Sequence, residues 1–515
     1  MKTKSMKKVL ICTLGGLAIA AVAIFIIFNN SSNYEAALAL TENTEMPMDY
    51  SGNLEYVNFE ESSFEEGDFE ESNFEEGNHE EEPSETNANE AYATANQMDL
   101  TIEERVSGLR RMYLRVNSSF GLWDLMPQEL DWSALYYVYE QKVIDATTTL
   151  EYYQILQSFL FHLNDGHSGI RFPPDLEVPM YTPGFFVQLI EGKIVVVDSD
   201  SAISDIIPGS VITKINQMDS MEYLNTYHSH LTNWQVPFTR EAHLVYVFFN
   251  ASPVNRVIDV EVITPDGQAY QKTLNFIETD GAIHVGAFLT QLNYANVNEE
   301  LDFVGNTFWA QYHLDDILRI RVPHFADSGF ERELREFLNE IPTPRAVVID
   351  TRYHGGGNSG FGYQLLRHFI DASQLSHFGY YHFGLFSTSR PPSGSFERLN
   401  ATSVGWYDIP VVILTNHFSG SAGENLLALA RGGDRFTIMG TTTPGLTGRV
   451  AAFDLPGGGQ FFISTQRVLT HDGLDISFNG ITPDIWIEQT YQHWLEGVDA
   501  QLQAAIHYLR EALNQ

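Results

Sequence analysis

Cysteine is almost absent from this 515-residue chain. Its only cysteine, Cys12, lies inside an apolar run near the N-terminus. The rest of the chain can therefore form neither an internal disulfide nor a thiolate metal site. Stability beyond the first hundred residues must come from packing, and that part of the chain is long enough for two or three globular domains.

Basic residues are also missing from long stretches. Residues 41–95 hold 18 Asp and Glu residues and no Lys or Arg, and the formal net charge of the chain is −38. This charge makes nucleic acid an improbable partner, because binding it requires phosphate neutralisation. No lysine occurs after Lys272, so a catalytic base in the C-terminal half must be another residue type.

The N-terminus carries a membrane signal. Residues 1–8 contain four lysines, and residues 9–28 are uncharged and long enough to cross a bilayer as a helix. The lysines before this run predict a cytoplasmic segment at 1–8, a single-pass transmembrane anchor at 9–28 and an extracytoplasmic remainder. A cleaved secretion signal is the alternative.

Residues 29–96 contain a five-residue acidic repeat, "NFEES SFEEG DFEES NFEEG". The period fits neither a helix face nor strand alternation, and repelling carboxylates cannot bury a core. We predict a disordered acidic stalk that acts as a spacer. The regular phenylalanines leave open a role in binding a cation or a partner of unknown identity.

Three patterns follow along the chain. Residues 97–178 show helical periodicity, with a capping box at Thr101 and Glu104. Residues 179–280 carry short β-rich runs, among them "HLVYVFF" at 243–249, and predict a small β domain. Residues 281–515 alternate strands and helices, which predicts an α/β core with a largely parallel sheet.

Two turns in the predicted core could carry chemistry. "DTRYHGGGN" at 350–358 follows an apolar strand, and its glycines allow backbone N–H groups to approach an oxyanion. "SGSAGE" at 419–424 lies between a buried strand and a helix, where a nucleophilic serine is found in other hydrolases. The alternatives are a plain tight turn for the first and a helix cap at Ser421 for the second.

Together with "LNDGHS" at 163–168 and "PGSVITKIN" at 208–216, these motifs resemble the carboxy-terminal processing (tail-specific) and tricorn-like serine peptidases. The resemblance implies a crotonase/Clp-like α/β catalytic core, preceded by an N-terminal helical segment and a PDZ-like β domain. Such a β domain would either capture a peptide terminus by strand addition or be purely architectural.

The resemblance also implies the roles of particular residues. Ser421, three residues before Glu424, takes the nucleophile's place, and Ser419 is a turn residue. The lysine base of the tail-specific branch is replaced by Leu446. The tricorn-like branch uses a histidine instead, which falls on His167, and an imidazole can accept a hydroxyl proton at neutral pH.

The remaining roles are assigned as follows. Asp475 is the expected acid that orients His167, with Asp472 or a relay through Ser477 as alternatives. The alternative bases are His354 and His471. The backbone N–H groups of Gly356 and Ala422 are the expected oxyanion hole, and no metal or other cofactor is required.

The sequence therefore predicts a membrane-anchored, extracytoplasmic serine endopeptidase that cleaves protein or peptide substrates through an acyl-enzyme. The alternative is a catalytically inactive peptide- or ligand-binding protein on the same scaffold. An α/β-hydrolase esterase fits less well, because the histidines left for its triad, His493 and His507, lie in helix-like sequence.

Overall fold

A computed structural model describes residues 98–514 except 177, 179, 202, 253, 280–302, 306, 326–328, 372–373, 382–393 and 403–404. The predicted anchor and acidic stalk lie outside these residues. Within the described part of the chain, no helix is both long and apolar enough to cross a membrane.

Three helices form the N-terminal segment, as the periodicity predicted. They are α1 (Ile102–Ser119), α2 (Trp132–Asp145) and α3 (Thr149–Phe161). The capping box at the start of α1 is confirmed, since Thr101 accepts from the Glu104 N–H and Glu104 bonds back to the Thr101 N–H. After α3 the chain turns at residues 162–168 and enters the short strand β1 (Gly169–Arg171).

The next segment is rich in β structure. Its strands are β2 (Met180–Thr182), β3 (Phe185–Ile190), β4 (Lys193–Ser199), β5 (Val211–Ile215), β6 (Met218–Asp219), β7 (Val257–Ile263), β8 (Ala269–Asn275) and β9 (Ile277–Thr279). The main sheet has the order β3-β4-β5-β7-β8 with β6 on β5, and β2 pairs with β9. Two helices, α4 (Ser220–Tyr227) and α5 (Pro237–Asn250), complete this segment.

The strand predicted at "HLVYVFF" is wrong, because residues 243–249 lie within α5. All seven of these side chains are buried, and a continuous apolar run of this length does not distinguish a strand from a buried helix. Pro237 at the first helical positions favours the helix. At the end of α5, the Asn250 side chain pairs with both the N–H and the C=O of Val187 in β3.

A seven-stranded sheet forms the C-terminal core, and this mixed α/β architecture confirms the predicted class. In sheet order its strands are β10 (Phe303–Val304), β11 (Trp309–His313), β12 (Ile317–Arg321), β13 (Ala346–Asp350), β16 (Val411–Thr415), β17 (Phe436–Gly440) and β21 (Ile485–Trp486). The five strands from β12 to β21 are parallel, and β11 runs antiparallel to both of its neighbours, β10 and β12.

Helices cover both faces of this sheet. The helices of the core are α6 (Phe330–Glu340), α7 (Ser359–Leu366), α8 (Ala422–Ala430), α9 (Tyr491–Leu495) and α10 (Ala500–Leu513). Alternate residues of β13 are buried with α6–α8 on one face and with α10 on the other. Because β13 and β16 are parallel neighbours, both glycine-containing turns begin at the same edge of the sheet.

Two smaller sheets complete the core. One contains β14 (Gln374–Tyr381), β15 (Gly394–Leu399) and β20 (Gln466–Thr470). In the other, β18 (Val450–Asp454) pairs with β19 (Gln460–Ser464), and β19 pairs with β1 of the N-terminal segment. The pairing of β1 with β19 brings the turn at 162–168 against the core.

Candidate active site

Ser421 stands in a strained backbone conformation between β16 and α8. Its φ is 55° and its ψ is −119°, a region that costs a non-glycine residue about 1–3 kcal/mol. Its side chain makes no capping bond to the helix that it precedes. The helix-cap alternative therefore fails, and the geometry agrees with a serine presented on a sharp strand-to-helix turn.

Hydrogen bonds to backbone carbonyls of other segments fix the turn at Ser421. The Ser421 N–H donates to the Leu446 carbonyl at 2.7 Å, and the Gly420 N–H donates to the His354 carbonyl at 3.1 Å. Ser419 is buried, and its Oγ donates to the Thr351 carbonyl at 2.8 Å while accepting from the Asn416 N–H at 2.9 Å. Ser419 is thus a turn residue in the structure, as expected.

The glycine turn after β13 lies directly against Ser421. A Cβ atom placed on Gly356 would lie 2.8 Å from the Ser421 Cβ, 3.0 Å from its Oγ and 3.8 Å from the Ala422 nitrogen. With a φ of +96° as well, only glycine fits here without strain. The two predicted oxyanion donors are therefore neighbours beside the serine.

In the structure the Gly356 N–H donates to His354 Nδ1 at 3.1 Å. To stabilise an oxyanion, the Gly356 N–H must break its bond to His354 and donate to the substrate oxygen instead. The Ala422 N–H opens α8, and the first N–H groups of a helix have no partner within it. Ala422 is thus the donor that the described conformation presents without rearrangement.

His167 is buried in the turn between α3 and β1. Burial lowers the pKa of its imidazole, opposed by the Asp165 charge and by a hydrogen bond with the Thr447 backbone. Thr447 directly follows Leu446, which accepts from the Ser421 N–H. One short segment therefore contacts both residues of the predicted catalytic pair, and the imidazole is held in the neutral form that a base requires.

The predicted pair of Asp475 with His167 is not formed. The Asp475 carboxylate bonds to Arg467 and accepts from the Ser477 N–H at 3.1 Å. Burial raises the pKa of Asp475, and Arg467 opposes that rise. Arg467 competes for this carboxylate at close range, which the spacing of the motif could not reveal.

The alternatives to Asp475 and His167 are placed as follows. Asp472 accepts from Thr470 Oγ1, and His471 is exposed beside it. Ser477 is buried beside Asp475, whose carboxylate accepts from the Ser477 backbone N–H. Burial lowers the pKa of His354 to about 3, and its Nδ1 accepts a hydrogen bond from the Gly356 N–H.

Comparisons with known proteins bear on this geometry. Residues 316–487 match the sequence model of peptidase family S41. The family resemblance is confirmed. The S41 match includes Ser421, Gly356, Ala422 and Asp475, whereas His167 lies before it.

Two curated relatives of the S41 region have names that agree with the motifs. A carboxyl-terminal-processing protease from Picosynechococcus sp. is 26% identical over 197 residues, which cover 37% of this chain and 45% of that protein. A tricorn protease from Thermoplasma volcanium is 23% identical over 211 residues, covering 38% of this chain and 18% of the protease. The chain thus matches less than half the length of either relative.

A solved structure agrees with the fold over a larger share of the chain. The crystal structure of mature CPAF superposes with a TM-score of 0.62 at 14% identity, covering 80% of this chain and 96% of CPAF. At this identity the likeness concerns the fold alone. It extends beyond the S41 match and therefore includes part of the N-terminal or β-rich segments.

Asp165 is a charged neighbour of His167 to which the sequence motifs assigned no role. Its carboxylate accepts from the backbone N–H of His167 at 3.1 Å and from the Ser168 hydroxyl, and its charge raises the pKa of the His167 imidazole against burial. The residue was visible two positions before His167. The resemblance to the tricorn-like peptidases implied an acid in the C-terminal motif instead.

Arg352 braces the glycine turn after β13. Its guanidinium bonds to buried Asp350 at 2.8 Å and to Asp499, the residue that caps α10, at 2.7 Å. Burial alone would raise the pKa of Asp350, but Arg352 and Arg319 outweigh it and hold that pKa well below its usual range. The carboxylate is thus charged and anchors the start of the turn.

Glu424 lies in the first turn of α8, three residues after Ser421. Its spacing from Ser421 was its only role in the sequence motif. It is fully buried, and its Oε1 accepts from the Thr443 hydroxyl at 2.5 Å and the Gly445 N–H at 2.8 Å. Burial raises the pKa of Glu424 to about 8, although these bonds oppose the rise. Neutral at pH 7, it holds the segment whose Leu446 carbonyl accepts from Ser421.

We expect Glu424→Gln to remove a pH dependence of stability. The raised pKa means that the folded state keeps a proton between about pH 4.5 and 8, where the unfolded chain has lost it, so wild-type stability falls as pH rises through this window. Guanidinium unfolding at pH 5 and pH 8 should show the wild type losing about 3 kcal/mol more than Glu424→Gln. Equal losses would contradict a neutral Glu424.

Proposed function

We propose that the chain is a serine endopeptidase in which Ser421 is the nucleophile and His167 the general base. The observation that carries the proposal is the strained Ser421 at the strand-to-helix turn, with Gly356 packed against its Oγ. His167 supports it, because its imidazole is bonded to the segment that also holds Ser421. The names of the S41 relatives agree with this reaction class.

The reaction follows acyl-transfer chemistry. The Ser421 Oγ attacks the peptide carbonyl carbon while His167 takes the hydroxyl proton, and the resulting oxyanion faces the Ala422 N–H and, after exchange from His354, the Gly356 N–H. The C–N bond breaks as His167 returns the proton to the leaving amine. Water, deprotonated by the same imidazole, then hydrolyses the acyl-enzyme.

Asp165 is the better-placed acid for this pair. Its charge acts on His167 directly, whereas Asp475 is bonded to Arg467. We therefore propose Asp165 as the group that stabilises the imidazolium formed during attack. Replacing Asp475 with Asn should then lower kcat less than replacing Asp165 with Asn.

We also propose that the core is crotonase/Clp-like and that the β-rich segment is a PDZ-like domain. The parallel order from β12 to β21, with helices on both faces, supports the crotonase/Clp-like core. The sheet of β3–β8 with α4 and α5 supports the PDZ-like domain. At Val187 the edge strand is already paired by the Asn250 amide, which favours an architectural role over strand addition at this residue.

One preparation of the full chain tests both location and activity. The sequence of residues 1–28 predicts recovery from the membrane fraction, and the purified chain should hydrolyse unstructured peptides and react with a fluorophosphonate. A chain that binds these peptides yet shows neither reaction would support the inactive binding protein instead. Recovery in the soluble fraction with full activity would reject the anchor alone.

A further inference from the structure

Asn233 ties the His167 turn to the β-rich segment. The side chain belongs to residues 232–236, which join the 3₁₀ turn Ser229–Leu231 to α5. Its Nδ2 donates to the Asp165 carbonyl at 2.7 Å and to the Ser168 carbonyl at 3.3 Å. With 5% of its surface exposed, this amide bridges both ends of the turn that contains His167.

Trp234 fills the space between that turn and the turn of the nucleophile. A Cβ on Gly166 would lie 2.3 Å from the Trp234 Cδ1, so the indole packs directly on the residue before His167. The same ring meets Phe418 edge-on, with 5.9 Å between the ring centroids. Trp234 therefore contacts the surroundings of both proposed catalytic residues.

The segment that carries Asn233 is itself anchored to α5. The indole of Trp234 stacks on His243 at a centroid distance of 4.2 Å and an interplanar angle of 2°. Thr232 Oγ1 shares a hydrogen bond of 2.7 Å with His243 Nδ1 and accepts from the Trp234 N–H at 3.3 Å. Asn233 thus lies between Thr232 and Trp234, which both contact His243 on the buried helix α5.

The His167 imidazole depends on its backbone for orientation. Its Nδ1 is buried and has no hydrogen-bond partner within the described residues, and its hydrogen bond to the protein is with the Thr447 backbone. A displacement of a catalytic group by about 1 Å can cost a hundredfold in rate. The backbone of the turn must therefore be held from outside as well as by Asp165.

We propose that Asn233 is a positioning residue that sets the His167 imidazole relative to Ser421. The amide donates to two carbonyls that a shorter side chain at this position could not reach together. The kinetic consequence rests on the proposed function. The position of the His167 ring does not, so it can be measured whether or not the chain proves catalytic.

NMR of the full chain, labelled at the imidazole carbons of histidine, tests the proposal. The His167 signal is identified by its loss in His167→Gln. Asn233→Ala should shift this signal, lower kcat at least tenfold at nearly unchanged KM, and slow fluorophosphonate labelling by the same factor. Asn225→Ala is the matched control, because the Asn225 amide contacts Arg240 instead and should change none of these.

A folded Asn233→Ala protein with an unmoved His167 signal would overturn the proposal. Should that variant fail to fold, Asn233→Asp replaces the donor by an oxygen of similar size, and an unmoved His167 signal there would overturn it equally. In the His167→Gln background, Asn233→Ala should cause no further loss of labelling, whereas another tenfold loss places its effect elsewhere. A shifted signal in a chain that never labels rejects the proposed function and supports the positioning.

Discussion

Replacement of Ser421 by alanine should abolish peptide hydrolysis and fluorophosphonate labelling, with kcat falling by about 10⁴- to 10⁶-fold. The Ser421 Oγ is the only atom that the variant removes, so the Ala422 N–H and the imidazole stay in place. KM should change little, because substrate contacts remote from the Oγ persist. Initial rates on a peptide and gel detection of the labelled chain measure both effects.

Ser419→Ala is the matched control for this prediction. It removes a hydroxyl two residues away that bonds to the Thr351 carbonyl and the Asn416 N–H. It should cost about 1–3 kcal/mol of stability, because buried partners lose their bonds, yet retain labelling. Loss of labelling in a folded Ser419→Ala, with retention in Ser421→Ala, would transfer the nucleophile to Ser419.

The backbone at Ser421 allows a second check of the same site. With a φ of 55°, glycine relieves strain that alanine keeps, so Ser421→Gly should be more stable than Ser421→Ala by about 1 kcal/mol. Both variants should be equally inactive. A higher stability of Ser421→Gly than of Ser421→Ala would show that a side chain at this position strains the backbone in the folded protein.

Replacement of His167 by glutamine should lower kcat by about 10³- to 10⁵-fold while labelling slows by a similar factor. The base must be neutral to accept the proton, and burial lowers the pKa of His167. Wild-type kcat/KM should therefore be level at neutral pH and fall only below about pH 6.5, the ordinary histidine pKa. The pH profile of the variant should lack this acid limb.

His471→Gln is the control for the loss of an imidazole, since His471 is exposed and should leave rate and profile unchanged. His354→Gln addresses the alternative base. His354 accepts from the Gly356 N–H, so its replacement should alter oxyanion binding and lower kcat without removing the acid limb. An acid limb that disappears with His354→Gln and persists with His167→Gln would assign the base to His354.

Local sequence signals were sufficient to locate the strand-to-helix turn that contains Ser421. A buried strand, a turn of small residues and a helix occur within 20 residues around Ser421, and each element depends on contacts close in the chain. The same holds for the glycine turn after β13. The alternation of strands and helices likewise predicted the parallel core, because a helix between two strands returns the chain to the starting edge of the sheet.

Side-chain contacts that no sequence pattern marks account for what was missed. Arg467 binds the Asp475 carboxylate from eight positions away, and Asn233 reaches the His167 turn from 65 or more positions along the chain. No periodicity encodes such pairs. The buried run at 243–249 was misassigned for a related reason, since its helix is favoured by packing against β3 and the surrounding core.

The site of fluorophosphonate modification tests the account most directly. The full chain is treated with the reagent, digested and sequenced by mass spectrometry. The account predicts a single adduct on Ser421, absent from Ser421→Ala and about 10³-fold or more slower to form in His167→Gln. An adduct on another residue with Ser421 unmodified, or none on a chain that hydrolyses peptides, would contradict it.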